Sequence, residues 1–363
     1  MIFSPIKIGN ITLKNRIIRS ATWEGMCKEG IPTEKLIKLY EDLAENDIAL
    51  IITGYTYVSK EGMQLPNKMG LDSDNNLDVF KSMTDRVHKK GGLIAVQLVH
   101  AGGQALRKSS GLQPIAPSAI SFPTFQEVPK EMTKDDINKV VECFAMSAKR
   151  AKDAGFDCVQ LHSAHGYLIN QFLSPLTNKR KDEYGGTLEN RFRFLKEVVL
   201  AIRASVGPDY PLIIKLNGDD FLEGGFSINE SSKVSKMLEE LGISFIEVSG
   251  GSAASPDKSP VRKDIDNIDK EGYHCELSKK IKEAVSIPVG VVGGIRTFSL
   301  AEKIIETKTA DAISLSRPLI REPHLVKRWQ SGDTNKAKCI SCNGCFKPGL
   351  SGEGIYCVIE SKK

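Results

Sequence analysis

Two hydrophobic periods alternate along this chain. Short runs, apolar at nearly every position, occupy residues 17–22, 48–53, 93–98, 156–161, 212–216, 245–249, 288–292 and 311–315. Between them lie longer stretches whose apolar residues recur at helical spacing, near 33–46, 76–90, 133–154, 187–206, 227–241, 271–285 and 297–307, with a last one near 322–331. The runs suit strands buried on both faces, and the stretches suit helices buried along one stripe. Eight strand–helix pairs predict an α/β protein with a closed (β/α)8 TIM barrel. Ahead of the first run, Ile6, Ile8, Ile11 and Leu13 alternate with polar residues around Gly9-Asn10, which predicts a hairpin plugging the base of the barrel. A doubly wound open sheet is the runner-up. It fits less well, because no G-x-G-x-x-G follows the first strand and eight strands are present.

Two segments interrupt the alternation. The connection from His100 to Lys130 is rich in Gly, Ser and Pro, and a loop of that length suits a lid. Thr133 and Asp136 then stand as N-cap and first-turn acid of the third helix. Beyond the last helix the pattern ends, dividing the chain into a barrel over residues 1–335 and a Cys-rich tail over 336–363.

Composition narrows the functional classes. With 40% apolar and 26% charged residues among 363, this is an ordinary globular composition. Its 50 Lys and Arg against 45 Asp and Glu are spread along the chain, with no basic arm or aromatic–basic stripe for nucleic acid. No apolar run is long enough to span a membrane, and Met1-Ile2-Phe3-Ser4-Pro5 does not resemble a signal peptide. Eight Cys without a secretory leader predict thiols in a reducing cytoplasm. A homo-oligomer is the expected assembly.

In such barrels the chemistry sits at the carboxyl ends of the strands. The polar or small residues there are Ser20, Ala21, Thr22, Trp23, Gly54, Gln97, His162, His165, Tyr167, Lys215, Asn217, Ser249, Gly250, Gly251, Gly293, Gly294, Ser316 and Arg317. A single His at a strand end is more often a packing residue. Two His and a Tyr within six residues instead suggest a group that polarises an oxygen and delivers a proton. Gly293-Gly294 and Ser316-Arg317 follow strands seven and eight, where these barrels commonly hold a phosphate. Gln97 offers a donor and an acceptor and Lys215 a cation, which suits a heterocycle with a polar edge.

The run His162-Ser163-Ala164-His165-Gly166-Tyr167-Leu168-Ile169-Asn170-Gln171-Phe172-Leu173-Ser174-Pro175 carries a resemblance. So do Asn178-Lys179-Arg180-Lys181-Asp182-Glu183-Tyr184-Gly185-Gly186, Glu189-Asn190-Arg191, the start Phe3-Ser4-Pro5 through Leu13-Lys14-Asn15-Arg16, and Gln97-Leu98-Val99-His100-Ala101-Gly102. Together they resemble the Old Yellow Enzyme family of FMN oxidoreductases over essentially the whole barrel. The resemblance implies FMN across the barrel mouth, bound by Ala21, Thr22, Gly54, Gln97, Lys215, Gly250, Gly293, Gly294, Ser316 and Arg317. The phosphate would lie at Gly293, Gly294, Ser316 and Arg317, Gln97 would meet the isoalloxazine edge, and Lys215 would stabilise charge near N1 and the C2 carbonyl. His162 and His165 would grip the oxygen of an unsaturated substrate, and Tyr167 would protonate carbon. Hydride would come from flavin N5, after NADH or NADPH had reduced the flavin.

The sequence departs from that family at several positions. Trp23, beside Thr22, stands where a Thr or Cys often faces the C4 carbonyl, and Cys27 lies four residues on. Lys215 replaces a usual Arg, Gly103 a frequent Arg, and Ser316 a common Gly.

Cys339-x2-Cys342-x2-Cys345-x11-Cys357 remains. Four thiols at these gaps fit a [4Fe-4S] cluster, a structural Zn, or no ligand at all. The tail resembles that of the 2,4-dienoyl-CoA reductase and trimethylamine dehydrogenase branch, which carries [4Fe-4S] in this place and continues into further domains. Two functions therefore stand side by side. One is an NAD(P)H-dependent ene-reductase; the other is a flavin and iron–sulfur electron-transfer module serving a separate redox protein.

Overall fold

Residues 1–361 are described by a computed structural model of the chain. The eight barrel strands are β1 Ile17–Arg19, β2 Leu50–Ile52, β3 Ile94–Val99, β4 Cys158–Ser163, β5 Leu212–Asn217, β6 Phe245–Ser249, β7 Val289–Val292 and β8 Ala312–Leu315. Each pairs in parallel with the next, and β8 returns to β1 through Ser314 opposite Ile18 and Leu315 opposite Arg19. The sheet is therefore a closed barrel with no free edge, as the eightfold alternation predicts.

The helices that follow the eightfold pattern are α1 Glu34–Glu45, α2 Leu77–Lys89, α3 Lys134–Asp153, α4 Leu188–Val206, α5 Ile228–Glu240, α6 Cys275–Ala284, α7 Phe298–Glu306 and α8 Leu325–Gln330. Thr133 caps α3 by accepting from the Asp136 N–H while the Asp136 carboxylate accepts from the Thr133 N–H, a reciprocal capping box. Ser227 and Glu230 repeat the device on α5. α6 begins later than its pattern suggests. Ile268–Lys270 form a 3-10 turn and Gly272 takes φ of +65°, so the chain cannot enter α6 until Cys275.

The hairpin, Ile6–Ile8 against Ile11–Leu13, does close the base. Ile6, Ile8 and Leu13 pack with Ile18, Leu50, Ala95, Cys158, Ile213, Phe245 and Ala312 inside the lower barrel. That apolar plug leaves only the upper end of the lumen for polar side chains.

The 100–130 connection is more ordered than a bare loop. It holds a 3-10 turn at Gly102–Gln104, a short helix at Arg107–Ser110, and a parallel pairing of Ile115–Ala116 with Lys130–Glu131. Arg180 fastens it by donating to the carbonyls of Pro117 and Met132. The tail, from about residue 336, packs back on the barrel: Ala337 N–H donates to Arg296 O and Ile355 N–H to Glu24 O. Trp23 is clasped by two glycines here; a Cβ added to Gly25 or Gly349 would come within 3.1 or 3.0 Å of its ring.

Candidate active site

The strand ends surround a cavity of about 470 Å³ at the mouth of the barrel. Its floor is a polar layer directly above the apolar plug. Gln97 Nε2 donates to Gln160 Oε1 at 2.7 Å, and Gln160 Nε2 donates to Glu247 Oε2 at 2.8 Å. Ser20 Oγ donates to Glu247 Oε1 at 2.7 Å and accepts from Lys215 Nζ at 2.9 Å. Lys215 Nζ also lies 3.4 Å from Glu247 Oε2, both side chains being buried. Burial pulls the Lys215 ammonium below its ordinary pKa, and the Glu247 carboxylate works against that shift. Gln97 Oε1 is left buried with no partner.

One wall comes from β4 and the loop after it. His162 lies one residue before the end of its strand, opposite Lys215 of β5. Its Nδ1 accepts the N–H of Ala164 at 3.3 Å, so the ring proton sits on Nε2. His165 takes φ of +62° and is held by its own N–H on Asn217 Oδ1, while Gly166 N–H donates to Asn170 Oδ1. The His165 Nε2 meets Ser249 Oγ at 2.7 Å. Burial depresses both imidazoles well below their usual pKa, helped at His162 by His165 and Lys215 and at His165 by Lys215 and His274, so both stay neutral. Tyr167 packs edge-on to His162 with centroids 4.7 Å apart and donates its O–H to Gln64 Oε1 at 2.8 Å. Burial raises its phenol pKa, the Gln64 contact partly opposing.

The opposite wall joins β1, β7 and β8. Ala21, Thr22, Trp23, Gly294, Ser316 and Arg317 line it, with Thr22 Oγ1 2.7 Å from Ser316 Oγ. Gly294 takes φ of +69°. Arg317 donates to Arg262 O at 2.8 Å and to Asn343 Oδ1 at 2.7 Å, so its guanidinium joins the cavity to the tail. Phe346 and Leu350 of the tail complete this side.

Three of the glycines lie behind the wall. Gly54 donates to Glu24 Oε1 at 3.1 Å, within a buried cluster where Arg19 pairs with Glu24 at 2.6 Å. A Cβ on Gly250 would meet Phe221 and His274, and one on Gly293 would meet the backbone of Tyr273 and His274. Gly103 is covered by Phe125; an added Cβ would lie 2.5 Å from that ring.

Sequence reasoning missed Tyr55, Gln64 and Lys68, and also the Gln160–Glu247 layer. Tyr55 O–H shares Gln64 Oε1 with Tyr167, at 3.2 Å. Lys68 Nζ rests 3.3 Å from the Tyr55 ring centroid, buried and without a hydrogen-bond partner, and burial pulls its pKa far down. These residues sit between strands, where periodicity gives no position in space. Glu247 could have been noticed, as an acid inside an otherwise apolar strand.

Cys339, Cys342, Cys345 and Cys357 are free thiols bordering one pocket with Arg317 and Asn343. Cys342 Sγ accepts the N–H of Gly344 at 3.4 Å. Among the described residues, no group of three or more His, Cys, Asp or Glu is arranged to hold a metal ion.

The cavity fits a flavin nucleotide on its own observations. An orphaned acceptor, Gln97 Oε1, and a cation, Lys215, share the floor, and Gly294 and Arg317 stand on the wall where a phosphate would lie.

Comparison with known proteins agrees. Residues 1–336 match the NADH:flavin oxidoreductase / NADH oxidase family. An NADH oxidase from Thermoanaerobacter brockii is 38% identical over 378 residues, covering 99% of this chain and 58% of that protein. The structure of a 2-naphthoyl-CoA reductase complex superposes with a TM-score of 0.91 at 28% identity, covering 98% of this chain and 56% of that one. The old yellow enzyme homologue from Zymomonas mobilis gives 0.78 at 31% identity, covering 92% and 94%. This chain thus spans little more than half the length of the first two. It belongs to the NADH:flavin oxidoreductase / NADH oxidase family.

Proposed function

We propose that this family member is an FMN-dependent NAD(P)H oxidoreductase that reduces an electron-poor C=C bond, such as that of an enone or enoate. The observation that supports it most is the placement of His162, His165 and Tyr167 on one wall of a cavity whose floor is Gln97 and Lys215. FMN would be held by Gln97, Lys215, Ala21 and Thr22 at the ring, and by Gly294, Ser316 and Arg317 at the phosphate. When bound, it supplies the two-electron chemistry between nicotinamide and substrate.

The protein's residues do the rest. Neutral His162 offers Nε2–H to the substrate's carbonyl oxygen. His165 joins it when Ser249 O–H donates to Nε2, which places the ring proton on Nδ1. These donors stabilise negative charge on that oxygen as hydride arrives at the far carbon. Tyr167, whose raised pKa keeps its proton on oxygen at neutral pH, gives that proton to the carbon next to the carbonyl. Gln64 holds the phenol in place until then.

A second reading rests on the tail. The four thiols would hold a [4Fe-4S] cluster, four thiolates on four irons, with zinc as the alternative occupant. Their pocket shares Arg317 and Asn343 with the cavity, and a cluster held there would supply one-electron chemistry beside the flavin site for a separate redox protein.

Anaerobic purification followed by two assays tests both. Bleaching of the flavin by NADH or NADPH and its recovery with an enone is the expected result. Reduction only by a reduced ferredoxin or flavoprotein would establish the electron-transfer reading instead.

A further inference from the structure

The floor of the cavity has a direction, and Glu247 imposes it. A carboxylate only accepts hydrogen bonds, and three donors converge on this one: Ser20 Oγ, Gln160 Nε2 and Lys215 Nζ. Because Gln160 must spend its amide N–H₂ on Glu247, the group it turns toward Gln97 is its carbonyl oxygen. Gln97 must then answer with its own N–H₂, at 2.7 Å. One end of the Gln97 amide remains, and it is the oxygen that is buried without a partner. Neither Gln160 nor Glu247 borders the cavity, yet together they decide which atom of Gln97 a ligand meets.

We propose that Glu247 is a positioning residue that acts through Gln160 to fix Gln97 as a hydrogen-bond acceptor, so that the floor selects a ring edge presenting N–H at Gln97 and an acceptor at Lys215. The same carboxylate sets the charge of the floor, since it neutralises the Lys215 ammonium from below. The inference rests on the cavity being a flavin site and deepens it. The matching edge is the pyrimidine edge of isoalloxazine, where the N3–H lies between two carbonyls. An unpaired buried acceptor is costly, so a ligand with that N–H blocked should lose affinity.

The test measures binding of FMN and of 3-methyl-FMN, which lacks the N–H, to the full chain by fluorescence quenching. Wild type should prefer FMN by about 10-fold or more. Gln160→Met breaks the relay but keeps the Glu247–Lys215 pair, and Glu247→Gln removes the charge and lets both amides turn over. Both variants should lose most of the preference; the bulk of the methyl group is common to all three proteins and cancels in the ratio of ratios. Redox titration separates the two roles of Glu247. In Glu247→Gln the bare Lys215 charge should raise the flavin midpoint potential, whereas Gln160→Met should leave it near wild type. A merely structural role would not produce that split. An unchanged FMN preference in Gln160→Met overturns the inference even if Glu247→Gln does not fold. Failure of the wild type to bind FMN would overturn the flavin reading itself, and the inference with it.

Discussion

Tyr167 and Gln64, 103 residues apart in the chain, meet through a 2.8 Å hydrogen bond in which the phenol donates to the amide oxygen. The contact orients the proposed acid, with Lys68 Nζ 5.9 Å from the centre of its ring. Replacing Tyr167 by Phe keeps the ring against His162 and removes the hydroxyl with its proton. Reoxidation of the reduced flavin by an enone should then slow by about 10²–10⁴-fold. Reduction by nicotinamide needs no proton from Tyr167 and should change little. Stopped-flow measurement of each half-reaction decides the matter, and enone reoxidation at the wild-type rate would remove Tyr167 from the role of acid.

Arg317 reaches from the cavity wall to Arg262 O and Asn343. If it also clamps a phosphate, Arg317→Ala should weaken FMN far more than riboflavin. Equal losses for both would mean that the side chain serves only to fasten the tail.

The tail makes a separate prediction. If Cys339, Cys342, Cys345 and Cys357 hold iron, Cys342→Ala should remove iron and acid-labile sulfide together while FMN stays bound. Metal analysis showing stoichiometric zinc without sulfide would point to a structural ion instead.

Four histidines are held neutral, three buried and His165 half-buried: His162 and His165 well below the ordinary range, His100 pushed down to about 4 and His274 to about 3. A depressed folded-state pKa means that the unfolded chain binds the extra proton first. Stability is therefore full above the unfolded value of about 6.5 and declines as pH falls below it, by up to about 1.4 kcal/mol per pH unit for each such His. Urea midpoints between pH 8 and pH 5 should fall accordingly. His274→Asn should flatten the decline, and an unaltered slope would show that other groups control it.

Gly54 tests the barrel behind the site. An added Cβ would lie 2.1 Å from Glu24 Oε2, inside the buried Arg19–Glu24 pair. Gly54→Ala should cost about 1–3 kcal/mol by overpacking. The visible spectrum of bound FMN should be unchanged; a shifted flavin band would show that Gly54 touches the cofactor after all.

Much of this architecture is legible in the chain alone. Strands buried on both faces must be continuously apolar, and helices lying on them must be apolar along one stripe, so eight such pairs allow little but a closed barrel. Strand polarity then assigns His162, His165, Tyr167, Gln97 and Lys215 to the mouth, because residues at carboxyl ends of parallel strands share one end. The hairpin's alternation likewise places Ile6, Ile8 and Leu13 against the lower lumen. Tertiary structure decided what periodicity cannot express. Gly54, Gly250 and Gly293 end their strands yet lie behind the cavity wall, since a strand end fixes a height in the barrel but not a direction. Tyr55, Gln64 and Lys68 come from a long connection with no period to locate them. Gln160 and Glu247 meet only because closure of the barrel turns residues 87 positions apart inward at one level, where a buried carboxylate must find donors and so orders every amide around it.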